Sequence, residues 1–125
     1  MAAKKMLQFS PELSARLEQN IRQNGYAVEK KKMFGHEVFF TNGYMFSGAN
    51  VDGIFVHVGE EMKVRAMATE PDVAPFEPME GMVMREYLLL KEAVYSDDHR
   101  LKDWLEASYA YLKTLPPKLK SKKKS

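Results

Sequence analysis

The stretch VFFTNGYMFSGANVDGIFVHV, residues 38–58, decides how this chain folds. It holds three short runs of aromatic and β-branched residues, Val38 to Thr41, Tyr44 to Ala49 and Ile54 to Val58, separated by Asn42-Gly43 and Asp52-Gly53. Runs this short suit pleated strands, where such side chains pack against their neighbours. Asn-Gly and Asp-Gly supply the positive φ angles that type I′ turns need, and those turns match the twist of the strands they join. An antiparallel meander is expected.

Upstream, Ser10 and Pro11 read as an N-cap and a first helical residue. Leu13, Leu17 and Ile21 then recur every four residues on one face, and Asn24-Gly25 should stop the helix. A further strand is expected over Ala27 to Lys31, with Lys30, Lys31 and Lys32 placing it at a sheet edge or in a loop. Downstream, Glu60 to Thr69 is a short helix, acidic where its dipole is positive and ended by Pro71. Pro71, Pro75 and Pro78 make residues 70 to 81 an irregular crossing, followed by a strand from Val83 to Leu90. Ser96 is expected to cap a last helix with Asp97 and Asp98 in its first turn and Leu101, Trp104, Leu105, Ser108 and Leu112 along one stripe. Pro116-Pro117 closes it. The chain thus predicts an α+β fold of two layers, an antiparallel sheet packed against an N-terminal helix, a short middle helix and a C-terminal helix. The folded unit spans residues 9–116, with unstructured segments at 1–8 and 117–125.

At 125 residues, 45% of them apolar, the chain can pack one core without staples. With no cysteine, thiolate metal sites, disulfides and a thiol nucleophile are excluded. No apolar run approaches the ~18 residues that span a bilayer, and the start lacks a signal-peptide stretch, so a cytoplasmic home is expected. The net charge of +2 divides unevenly: residues 113–125 carry six lysines and no acid, leaving a body of net charge −4. Lys118, Lys120, Lys122, Lys123 and Lys124 could hold a phosphate backbone by counterion release, without reading sequence. A solvated tail is the alternative.

Several segments together resemble the TfoX amino-terminal domain of the TfoX/Sxy family. They are Met33-Phe34-Gly35, the hairpin Asn42-Gly43-Tyr44-Met45-Phe46-Ser47-Gly48, the loop Phe76-Glu77-Pro78-Met79-Glu80-Gly81, Met84-Arg85-Glu86-Tyr87, Trp104 and the ending Leu115-Pro116-Pro117-Lys118. The resemblance covers roughly residues 15 to 118. It implies the family's fold, standing alone without the carboxy-terminal domain of longer members, and a place among competence-type transcriptional regulators. It brings no catalytic residues and no cofactor. Two positions depart from the pattern: His36, where a second glycine is common, and His57, where arginine is more usual.

The remaining constellations have ordinary readings. His36, His57 and His99 are not spaced as metal ligands, and His57 shares a strand face with Phe55 as a surface or half-buried side chain. Asp97-Asp98-His99 suits a helix N-terminus better than a triad, because no serine occupies a nucleophile elbow. The glycines form no nucleotide-binding loop, and the nine methionines fit core filling. Both faces of the meander are apolar, so the face opposite the helices must be covered, either by segment 70–81 or by a second copy in a homodimer. The expected function is a non-enzymatic interaction domain with an unidentified protein partner, with the sheet face and the strand around Arg85 as candidate surfaces. The alternatives are tail-mediated nucleic-acid contact and a small-molecule site near His57 and Arg85.

Overall fold

A computed structural model of the protein describes residues 10–33, 36–79 and 81–116. Phe34, Gly35, Glu80 and the segments 1–9 and 117–125, including Pro117 and the five tail lysines, lie outside the described residues.

The N-terminal helix α1 (Pro11–Gln23) starts where Ser10 accepts a hydrogen bond from the Leu13 amide at 3.2 Å. Its buried face carries Leu17 and Ile21, and it ends before Gly25 at φ 74°. Strands β1 (Glu29–Met33), β2 (His36–Thr41), β3 (Tyr44–Asn50) and β4 (Gly53–His57) follow as an antiparallel meander. Helix α2 (Glu60–Thr69) then leads to β5 (Val73–Met79), and β6 (Met82–Leu90) returns between β4 and β5. A single turn, α3 (Glu92–Tyr95), and the long helix α4 (Asp98–Lys113) complete the order. The strands lie as β1-β2-β3-β4-β6-β5, antiparallel throughout, in the expected α+β arrangement.

Helices α1 and α4 bury their apolar stripes on one face of the sheet, where Ala66 of α2 and Val94 of α3 join them. Leu17, Ile21, Leu101, Leu105 and Leu112 meet Phe39, Phe46, Ile54, Val56, Leu88 and Leu90 there. Ser108 joins this stripe because its hydroxyl donates to the His57 carbonyl at 2.6 Å, which satisfies both groups inside the core. Glu18 ties α1 to the edge strand β1, accepting from Arg22 at 3.0 Å and from Lys30 at 3.1 Å. Those two partners, Arg22 first, hold its carboxyl below the usual carboxylate range. A carboxyl lowered on folding stabilises the fold above its unfolded-state value, and the contribution disappears as pH falls through the folded value. Glu18→Gln is therefore expected to be less stable than the parent near neutrality, with the difference closing in acid. Urea midpoints measured across that range check this, and a pH-independent difference would contradict it.

Three expectations need correction. Segment 70–81 is no irregular crossing but contains the edge strand β5, in which Pro75 pairs with Leu88. Prolines are tolerated there because one side of an edge strand has no ladder to donate to. The register slips at Pro75/Phe76 and again before Met79, the irregularity that the prolines signalled. Second, Asp97 rather than Ser96 caps α4, accepting from the amides of His99 and Arg100 at 2.9 and 3.2 Å. The Ser96 hydroxyl is already bound to Glu92 O at the end of α3. Third, the β3–β4 turn centres on Val51-Asp52, neither at positive φ, and Asn50 Oδ1 receives the Asp52 amide at 2.9 Å. The β2–β3 turn matches expectation, with Asn42 and Gly43 at φ 57° and 85°.

The opposite sheet face is covered by the chain itself. Phe76, delivered by β5, stacks on Phe55 with ring centroids 4.2 Å apart, and with Val38, Tyr87 and Leu89 it forms a second small core. Met33, Met45 and Met84 fill its margins. Of the two coverings considered, segment 70–81 provides this one.

Candidate functional site

The site forms where β4 leaves the sheet. The amides of Val58 and Gly59 both donate to Glu86 O, at 2.9 and 3.0 Å, so two residues oppose one and the chain bends away into α2. The end of α4 lies close by. Asn42 donates through its side-chain amide to the carbonyls of Leu112 and Leu115 at 2.9 and 3.0 Å, and the Tyr44 hydroxyl donates to Pro116 O at 2.8 Å. The hairpin turn thus ties down the end of α4, adding to the bond that Leu112 O already accepts from the Leu115 amide at 3.3 Å.

His57, expected at the surface or half-buried, is only 7% exposed. Its ring stacks on Tyr87 at 4.1 Å and meets Tyr111 and Tyr44 edge-on. The Nδ1 atom lies 2.9 Å from Met45 O, and Nε2 lies 2.9 Å from Glu86 Oε1. Both neighbours accept when Glu86 is ionised, whereas a neutral imidazole carries one N–H. For both contacts to be hydrogen bonds, His57 and Glu86 must share one additional proton. The Tyr111 hydroxyl also donates to Glu86 Oε1, at 3.3 Å. Burial, reinforced by the Glu86 charge, pushes the Tyr87 phenol far above its ordinary value and raises Tyr111 in the same direction. Both remain donors.

In front of this hub runs an open groove of about 510 Å³ between the start of α2 and the last turns of α4. Val58, Gly59, Met62 and Tyr111 form its base, and Ala107 and Ala110 form the α4 wall. Tyr111 fixes the base: a side-chain carbon at Gly59 would sit 2.8 Å from its ring, so only glycine lets α2 begin this close. Exposed Glu60, Glu61 and Arg65 edge the α2 side.

Arg85 is on the surface, its Nη2 3.0 Å from Glu60, with a side chain 79% exposed. His57 and Arg85 therefore engage different carboxylates. Arg85 also opposes the Lys63 charge, which burial above all pushes down while its ammonium donates to Met84 O at 3.0 Å. Among the family-motif residues, Phe46 is fully buried in the main core, Trp104 packs partly buried at its edge, and Gly48 lies under the Phe55 ring. Asp97 caps and Asp98 pairs with Arg16 at 2.8 Å, so neither is free to orient His99. Among the described residues, no three His, Asp or Glu side chains gather as a metal site, and no helix is long and apolar enough to cross a membrane.

The groove escaped the sequence reading because its two sides, residues 58–65 and 107–114, share no periodic signal.

The family model of the TfoX N-terminal domain matches residues 22–112. This chain belongs to that family. The match begins at the end of α1 and ends at Leu112, the last buried leucine of α4, so it spans every described strand and the described groove lining except Thr114. Neither a curated protein nor a solved structure matches the chain.

Proposed function

We propose that this TfoX N-terminal domain is a non-enzymatic protein-interaction domain acting in competence-type transcriptional regulation, and that the α2–α4 groove is its contact surface. The groove is the observation that carries the reading. It is concave, its base is held by Tyr111 against Glu86 and the buried His57, its α4 wall is small, and its α2 edge is charged. A surface fixed in this way loses little entropy when a partner docks. Membership in the family supports the regulatory part by analogy.

The test is a transcript profile of cells lacking the gene. A defined set of transcripts should change by several-fold and return when the intact chain is supplied. An unchanged profile under conditions that induce DNA uptake would overturn the regulatory reading.

A further inference from the structure

The helical layer over the sheet has a gap. Helices α1 and α4 pack on β3 and β4, and α2 packs on β5 and β6. The groove lies between α4 and α2, open along one side. Its α4 wall presents Ala107, Ala110 and Thr114 at helical spacing, without a bulky side chain to fill the gap.

The charges around it are mostly of one sign. Glu60 and Glu61 stand at the α2 edge, Asp103 lies one turn before Ala107 on the same line of α4, and Glu86 is half exposed beneath Tyr111. Among the described residues of the lining Arg65 is the one basic residue, and its contact with Glu61, 3.4 Å with both side chains mostly exposed, is of the weak surface kind. Arg85 offsets Glu60 from outside. An acidic rim around an apolar base matches a ligand of opposite pattern.

We infer that the groove receives an amphipathic helical segment of a partner protein, its apolar stripe on Met62, Ala107, Ala110 and Tyr111 and its flanking Lys or Arg residues against Glu60, Glu61 and Asp103. This rests on the interaction-domain reading above and names the chemistry of the partner. Helix-in-groove docking draws affinity from the apolar anchors and orientation from the charged rim.

The experiment uses two labelled 18-residue helical peptides with the same leucine stripe, one flanked by lysines and one by glutamates. Fluorescence anisotropy with the full chain should show the lysine peptide binding at least tenfold more tightly. Amide shifts on its addition should cluster at residues 58–65 and 107–114. Ala110→Trp fills the gap from an exposed position and should weaken binding at least tenfold with its thermal unfolding unchanged. Glu61→Lys should weaken the lysine peptide and strengthen the glutamate one. Binding that ignores both substitutions, equal affinity for the two peptides, or shifts centred elsewhere would overturn the assignment. Deleting residues 117–125 tests a different occupant: tighter peptide binding after deletion would mean that the chain's own lysines hold the groove, which also overturns it. In cells, Ala110→Trp should fail to restore the altered transcripts. Full restoration would remove the groove while leaving the regulatory reading standing, whereas a null strain with an unchanged profile removes the latter.

Discussion

Gly53→Ala is expected to lower the unfolding free energy by about 3 kcal/mol or more, the combined scale of overpacking and a strained backbone. A Cβ at this position would lie 2.3 Å from the Leu90 carbonyl oxygen, a backbone atom of the neighbouring strand that cannot turn aside. The residue also sits at φ 150°, which side chains rarely adopt. Because β4 is central, moving it disturbs its pairing with both β3 and β6. Gly25→Ala separates the two causes. Gly25 is also at positive φ, 74°, but a Cβ there has nothing within 4 Å, so its loss should stay near 1 kcal/mol. Urea unfolding of both variants is the measurement. Equal midpoints would mean that the approach of Leu90 contributes nothing.

The second large effect is at Phe76. Phe76→Ala should destabilise by about 3 to 5 kcal/mol, the usual range for a buried phenylalanine. Phe76 is 3% exposed, stacks on Phe55 and lies 6.1 Å from Tyr87, so its removal opens the second core to water. Exposing Phe55 and Leu89 together creates an apolar patch of the kind that drives association. Sedimentation velocity should therefore show the variant self-associating at concentrations where the parent shows less. A loss below about 1 kcal/mol, without increased association, would show that β5 does not cover that face.

Phe76 also marks the limit of the sequence reading. Three prolines made its segment look irregular, yet an edge strand tolerates them, and nothing local distinguishes an edge strand with slipped register from a loop. Ser96 reads as the cap of α4, with Asp97 inside the first turn. The choice fell to Asp97 because α3 had already taken the Ser96 hydroxyl. Alternation correctly placed His57 beside Phe55, but its burial depends on Glu86, Tyr87 and Tyr111, which arrive from distant parts of the chain.

By itself the sequence determined the meander, the helices with their buried leucine stripes, the Asn42-Gly43 turn and the resemblance to the TfoX N-terminal domain. These depend on periodicity and turn chemistry acting over a few residues, where each side chain's preference is decided by near neighbours. Only the tertiary structure decided that β5 covers the second face, that Glu86, Tyr87 and Tyr111 enclose His57, and that α2 and α4 leave a groove between them. Those features arise from contacts between residues dozens of positions apart, whose geometry depends on how the sheet and helices pack and leaves no repeating trace in the chain.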